Sequence, residues 1–367
     1  MTRFIMIGGF LGAGKTTTIL RLAEFYSAQG RRVGLVTNDQ ANELVDTNRL
    51  RAAGFHVGEV PGACFCCKFD DLVATMGELE AEQTPEIIIA EPVGSCTDLM
   101  ATVVEPLRQL HGDRFQVGPL AVLLKPEHGQ RVLLTDKPQG VSPGAAYIFN
   151  KQLEEADVIA INKVDKLSQA QQTRLHDEAC RRFPDRPILL LSAREGAGME
   201  GLRAALEESP RGTRRFMDMD YDLYAEGEAE LGWLNATYTL SRADGTISLD
   251  QAAGDFLRAL AQCYATVGAD SAHTKVLATD GSGNQSLANL VGADAEVELS
   301  ASNDASASTV HLTVNARVTV GADQLTEWVT SSLNELCQQR CWQCQCHDLQ
   351  SLQPGRPRPT HRWQNSS

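Results

Sequence analysis

Three short stretches of the chain combine residue types and spacings that can do chemistry. The first, Gly9-Phe10-Leu11-Gly12-Ala13-Gly14-Lys15-Thr16 followed by Thr17, fits the pattern G-x-x-x-x-G-K-[ST]. Its glycines let a loop curl so that successive N–H groups face phosphates at a helix N-terminus. Lys15 is expected to reach the β- and γ-phosphates, and the Thr16 hydroxyl to ligate Mg²⁺. The second, Asn162-Lys163-Val164-Asp165, is an N-K-x-D at the end of an apolar run. There the two oxygens of Asp165 can accept from guanine N1–H and N2–H₂, a donor pair that adenine lacks, while the Lys163 stem covers the base. Ser192-Ala193, after a later apolar run, suits a second base-contacting loop. The expected nucleotide is GTP.

The third stretch is Cys64-Phe65-Cys66-Cys67. Three thiols within four residues pair poorly with one another, but as thiolates they can chelate one ion. Pro61-Gly62 before them predicts a turn, so the loop is shaped rather than helical. Soft ligands favour Zn²⁺, Co²⁺, Cu⁺ or iron, zinc and cobalt foremost, over Mg²⁺ or Ca²⁺. Three ligands leave a position open for a client or for a carboxylate such as Asp39 or Glu43. A structural zinc site and a redox thiol pair are the alternatives.

Two acidic positions lie between these motifs. Glu91-Pro92-Val93-Gly94 follows one apolar run and Asn38-Asp39 another. Either Glu91 or Asp39 can hold Mg²⁺ through water, and the Gly94 N–H can sense a γ-phosphate. Asp39 as the cap of a following helix is the alternative. No glutamine is placed to orient an attacking water, so slow intrinsic hydrolysis is expected.

The elements that must position these residues alternate. Runs rich in isoleucine, valine and leucine at 4–7, 33–37, 87–90, 158–161 and 188–191 predict strands buried on both faces. Helices are expected between them, as at 16–29 and 169–183. This is an α/β domain of P-loop type with a mostly parallel sheet, expected over residues 1–205. Residues 117–148, broken by glycine, proline and charge, suggest an insertion or a mobile loop. An acidic linker is expected over 206–230. A smaller α+β domain, plausibly ferredoxin-like, is expected over 231–350, with strands at 233–240, 274–278, 296–300 and 310–320 and helices at 249–267 and 323–337. An extended tail over 351–367, with prolines and Thr360-His361-Arg362-Trp363, is expected to bury little, leaving His361 at the surface.

In order and spacing, the P-loop, Cys64, Cys66 and Cys67, Glu91–Gly94 and Asn162–Asp165 together resemble the CobW-type metallochaperone GTPases, relatives of the GTPases that insert nickel into urease and hydrogenase. The resemblance covers the whole nucleotide domain. It implies a GTPase in which GTP organises the cysteine loop for metal and hydrolysis releases the ion to a client metalloprotein or a metallocofactor pathway. It also implies a smaller C-terminal domain. One departure is Asn38-Asp39-Gln40, where many members carry Asn-Glu-Phe-Gly.

Seven of the ten cysteines fall in two clusters. In the second, Cys337-x3-Cys341-x2-Cys344-x-Cys346-His347, the residues Cys341, Cys344 and Cys346 are expected to form a weaker loop chelate, with Cys337 or His347 as further donors. Cys337 in the core with the others incidental is the alternative. The first three also match the spacing of certain iron–sulfur sites.

Composition bounds the rest. The 367-residue chain is 43% hydrophobic and carries 47 acidic against 33 basic side chains, a formal net charge of −14. An acidic surface repels nucleic-acid backbones. No apolar run approaches the ~18 residues of a membrane span, and the opening residues lack a leader pattern. A cytoplasmic protein with no membrane or nucleic-acid partner is expected, with self-association left open. A small-molecule P-loop kinase and a regulatory GTPase with a structural zinc are the competing classes.

Overall fold

The computed structural model describes residues 1–38, 45–135, 141–208, 216–292 and 296–364. They divide into two compact units. One comprises Met1–Gln40, Ala53–Gly227 and Arg356–Ser367; the other comprises Ala41–Ala52 and Glu228–Gly355.

The first stretch of chain runs β1 (Thr2–Gly9), α1 (Lys15–Ala28), β2 (Val33–Asn38), α2 (Val45–Ala52, in the second unit), β3 (His56–Val60), α3 (Phe69–Gln83) and β4 (Ile87–Glu91). A π-helical turn, Met100–Val104, leads into α4 (Glu105–Leu110). Then come β5 (Phe115–Leu124), α5 (Pro126–Val132), α6 (Pro143–Glu155), β6 (Val158–Ile161), α7 (Gln169–Arg182), β7 (Ile188–Leu190), α8 (Met199–Glu207) and α9 (Tyr221–Ala229).

The seven strands form one sheet in the order β3-β2-β4-β1-β5-β6-β7, and every pairing in it is parallel. The central strands are apolar because helices cover both faces; β4 and β6 are buried along their whole length. Parallel strands all end on the same edge of the sheet. That edge therefore gathers the loops after Gly9, Asn38, Glu91, Ile161 and Leu190, the place where open α/β sheets bind ligands.

Residues 117–148 are not an insertion. Their described part supplies most of β5, which pairs along its length with the central strand β1, together with α5 and the start of α6. The glycine and prolines that obscured this are local: Pro126 and Pro143 open helices, where a missing N–H costs nothing. Strand β3 was also not anticipated; only its last residue, Val60, is fully buried, so it has no continuous apolar run.

The second unit carries β8 (Gly232–Ser241), the short β9 (Ile247–Ser248), α10 (Leu249–Val267), β10 (Ser271–Thr279), β11 (Gln285–Leu290), β12 (Glu298–Ala301), the short β13 (Ser306–Ala307), β14 (Thr309–Val318), α11 (Ala322–Arg340) and β15 (Gln343–Leu352). Its antiparallel sheet runs β12-β11-β10-β14-β8-β15. Without the β11–β12 hairpin, the path is βαββαβ with first strand β8 beside both the last, β15, and the third, β14. That is the ferredoxin-like arrangement. Helices α10 and α11 close one face: Phe256, Leu257, Leu260 and Tyr264 meet Leu325, Val329 and Leu333 over Tyr238, Leu240 and Val314. Ser248 caps α10 through the Gln251 N–H and Gly268 ends it at φ 64. In the same unit, the Val45 N–H donates to Asn315 Oδ1 (2.8 Å), which fixes the start of α2.

The loop expected around Cys341–Cys346 is instead a helix end followed by a strand. Cys341 is the left-handed cap of α11 at φ 54, so it cannot share a helical face with Cys344. Cys344 and Cys346 lie on β15 opposite Leu240 and Tyr238. Residues two apart point to the same face of a strand, which a helix or loop reading misses. Among the described residues no helix is long and apolar enough to cross a membrane.

Candidate nucleotide site and cysteine loop

The phosphate loop is built from the end of β1. Gly9, Gly12 and Gly14 have φ of 135, 73 and 93°, the left-handed side that a side chain resists. At Gly14 a Cβ would also lie 2.5 Å from Asn162 Nδ2. That amide is the joint of the site. Asn162 Nδ2 donates to Ala13 O (2.8 Å) while Asn162 Oδ1 accepts from the Ala193 N–H (3.0 Å). The first residue of the N-K-x-D motif thus ties the phosphate loop to the Ser192-Ala193 loop. Lys163 takes a left-handed turn at φ 60, and Ser192 Oγ donates to Asp165 Oδ1 at 2.6 Å. That hydroxyl orients the carboxylate expected to read the base.

On the other side of β1, Thr16 Oγ1 donates to Glu91 Oε1 at 3.0 Å, both residues being buried. Lys15 Nζ reaches back to Gly9 O at 3.1 Å. A Cβ on Gly94 would stand 3.0 Å from that ammonium and 2.8 Å from Leu11 Cδ2, so a side chain there would displace the ends of Lys15 and Leu11. A hydroxyl and a carboxylate in contact beside a lysine fit a hydrated Mg²⁺ and a nucleotide phosphate. Asp39, the other carboxylate expected here, lies outside the described residues.

The cysteine loop hangs from Asn38, the last residue of β2. Its Nδ2 donates to Val60 O (2.8 Å) and Ala63 O (2.7 Å), and its Oδ1 accepts from the Phe65 N–H (2.8 Å). The loop then closes a single turn, with the N–H groups of Cys67 (2.9 Å) and Lys68 (3.0 Å) on Cys64 O. Cys64 and Cys66 are buried and Cys67 is half-buried. Cys66 Sγ and Cys67 Sγ are 3.7 Å apart, close to the ~3.8 Å separating two thiolates on one tetrahedral zinc with Zn–S of about 2.3 Å. Hydrogen bonds to the neighbouring thiols of Cys64 and Cys67, then burial, hold the Cys66 thiol well above its ordinary range. Cys67 is lowered by the Cys66 hydrogen bond, assisted by the Arg358 N–H. Among the described residues no three His, Cys, Asp or Glu side chains converge as a ready metal cage.

The second cluster is engaged differently. A hydrogen bond from Cys337 to Cys344 raises the first thiol and lowers the second, and Cys337 belongs to the domain core.

Several residues at the site carry no motif. Gln152, on the buried face of α6, donates to Gly94 O (3.0 Å) and Cys96 O (2.8 Å) and so pins the loop after β4. Gln152 had one available signal, a polar residue at a helix position whose periodicity demands an apolar one. Glu155 accepts from Thr97 Oγ1 (3.1 Å) and the Met100 N–H (2.9 Å). Burial pushes its carboxyl up to about 8, the two donors pulling the other way and Asp98 adding to the rise. Its folded pKa thus exceeds the unfolded value, and the folded chain keeps a proton that the unfolded chain gives up. The stability this confers is complete below about pH 4.5 and is lost as pH rises toward 8. Glu155→Gln, which cannot ionise, is expected to melt close to wild type near pH 5 and progressively above it up to about pH 8.5. Parallel melting curves across that range would show the carboxylate ionised in the folded state.

A family model for the CobW/HypB/UreG nucleotide-binding domain matches residues 3–189, which spans all four nucleotide and cysteine motifs. The chain belongs to the CobW/HypB/UreG family. A zinc chaperone CobW from Sinorhizobium sp. is 29% identical over 216 residues, 50% of this chain and 57% of that one. The zinc chaperone YeiR of Escherichia coli K12 is 30% identical over 183 residues, 48% and 50% of the two chains. The chain thus spans about half the length of the curated relatives it matches. Among solved structures, HypB from Helicobacter pylori in complex with nickel is 19% identical, covering 59% of this chain and 92% of that one at a TM-score of 0.43. The matched region is that family's nucleotide-binding domain.

Proposed function

We propose that this protein is a GTP-dependent metallochaperone that takes up a transition-metal ion at Cys64, Cys66 and Cys67 and passes it to a client metalloprotein or metallocofactor pathway when GTP is hydrolysed. The observation that carries the proposal is the position of Asn38. One side chain both ends β2, immediately before the acidic segment at Asp39, and holds the cysteine loop by three hydrogen bonds. A rearrangement of the strand end at Asn38 on nucleotide exchange therefore acts on the thiols through one joint.

In this reading Lys15 and the loop N–H groups of Gly12, Ala13 and Gly14 hold the β- and γ-phosphates, with Thr17 in the turn that follows. Thr16 and Glu91 hold Mg²⁺, directly and through water. Gly94 reports the γ-phosphate; Asn162, Lys163, Asp165, Ser192 and Ala193 enclose guanine. Zinc is the favoured cargo, because it is named for the two relatives with the same domain and because the thiol spacing suits a tetrahedral ion. The cargo site is assigned to the first cluster and not to Cys341, Cys344 and Cys346, since these stand on two elements, Cys341 on the cap of α11 and Cys344 and Cys346 on β15, rather than in one loop. A cytoplasmic setting, where thiols stay reduced, suits ten cysteines of which none forms a disulfide.

The test is a zinc titration of the whole chain with GTP and Mg²⁺, with GDP, and without nucleotide. Tighter binding in the GTP state, and phosphate release without a phosphorylated small-molecule product, are expected. Equal zinc affinity in all three conditions would refute the coupling.

A further inference from the structure

The segment 356–364 belongs to the first unit and lies across the cysteine loop. Its sequence, Arg356-Pro357-Arg358-Pro359-Thr360-His361-Arg362-Trp363, is pre-extended. Each proline fixes its own φ, and each residue before a proline is pushed away from helical geometry. Such a chain has little conformational freedom to lose when it is laid down. Contrary to the expectation that it buries little, Pro357 is buried and His361 half-buried.

Its contacts concentrate on two places. At the cysteine loop, the Thr360 N–H donates to Cys66 O (2.8 Å) and Thr360 Oγ1 to Cys67 O (3.2 Å). The Arg358 N–H donates to Cys67 Sγ itself (3.2 Å). The His361 ring packs edge-on against Phe69, which opens α3 just after the cysteines, with centroids 5.0 Å apart. At the anchor, Arg362 Nε meets Asp98 Oδ2 at 2.6 Å and Arg362 also donates to Met217 O at 3.0 Å. The Trp363 N–H donates to Ala101 O at 2.9 Å. Asp98 is 1% exposed, takes a second hydrogen bond from Tyr221 (2.8 Å) and has a left-handed backbone at φ 63. A buried carboxylate loses much when its cation is removed, so the anchor is strong, whereas the exposed Arg356–Asp222 pair (2.6 Å) adds little.

We propose that residues 356–364 form a strap that positions the Cys64–Cys67 loop and controls access to Cys67, and with it the exchange of the bound ion. The strap occupies one hydrogen-bonding direction of Cys67, the half-buried thiol of the loop, and it grips the backbone carbonyls of Cys66 and Cys67. Release of Arg362 from Asp98 removes the strap's one buried ion pair and loosens it, because what remains besides buried Pro357 is a few hydrogen bonds, the His361–Phe69 ring contact and the exposed Arg356 contacts to Asp222 and Tyr221. The second half of the proposal rests on the metal-handling reading above; the first half does not.

The test measures alkylation of Cys67 by iodoacetamide in the metal-free full chain, located by peptide mapping. It compares wild type with Arg362→Ala, Thr360→Pro and a chain ending at Gly355. Faster labelling by at least about tenfold, equivalent to ~1.4 kcal/mol of closure, is expected for the shortened chain, and a smaller acceleration for the point variants. Should the shortened chain fail to fold, the two point variants decide. Equal Cys67 labelling throughout would overturn the strap. In the same proteins loaded with zinc, transfer to a chelator should accelerate in the same order. Faster labelling with unchanged zinc transfer would overturn the control of exchange. A wild type that takes up no zinc, yet labels faster when the strap is cut, would overturn the metal reading and leave the strap as a positioning element.

Discussion

Asp165→Asn is expected to weaken GTP binding by about 2–4 kcal/mol and to turn preference toward xanthine nucleotides. The cost is that of losing a charge-assisted contact to a donor pair inside a binding site. The structure makes the substitution a clean one. Asp165 is oriented by Ser192 Oγ at 2.6 Å, a hydroxyl that can donate equally to an amide oxygen, so the side chain should keep its place. An amide presents a donor where guanine also presents a donor; xanthine presents a carbonyl there and restores the match. Titration of GTP and XTP into both proteins decides it. Unchanged GTP affinity in the variant would remove Asp165 from the base site, and with it the choice of guanine over adenine. Lys15 is not the better probe of specificity, because the contact expected of it is to phosphates common to all nucleotides.

Replacing Cys66 and Cys67 together by serine is expected to abolish tight zinc binding while leaving GTP affinity near wild type. Serine hydroxyls remain protonated at neutral pH and are poor ligands for zinc, so two of three thiolates are lost at once. The loop itself should survive. Its shape is held by Asn38 and by the Cys64 carbonyl, none of which involves the two thiols being changed. Tight zinc binding that persists in the double variant would move the site elsewhere, with the Cys337–Cys346 cluster the first place to look. Loss of GTP binding along with zinc would mean that the loop, not the ligand set, had been damaged.

What the sequence determined by itself was the nucleotide half of the molecule. Gly9–Thr16 and Asn162–Asp165 are local motifs whose backbone conformations are written into their residue types: glycines where φ must be positive, a lysine and an aspartate at fixed offsets after short apolar strands. Their partners lie far away in sequence, but a parallel sheet puts every strand end on one edge, so motif plus fold class was enough to gather them. Helix α10 was legible for the same reason, with a serine cap, a continuous apolar stripe and a glycine stop.

The tertiary structure alone decided the rest, and in each case the deciding contact is long-range. Strand β5 was hidden because glycine and prolines interrupt its neighbourhood, although β1 pairs with it throughout. Cys344 and Cys346 were read as part of a loop, whereas strand β15 begins at Gln343, two residues past the Cys341 cap. Gln152 has no motif, and Asn38, quoted only for its place beside Asp39, gave no sign of its own partners; each acts by satisfying the backbone groups of a loop 22 to 58 residues away. The strap is the extreme case, a proline-rich stretch with no periodicity whose Arg362 finds Asp98 264 residues earlier. Local sequence specifies conformation, and here it specified that residues 356–364 are extended. Which surface an extended segment covers depends on where a buried charge lacks a partner, and only the folded chain places Asp98 there.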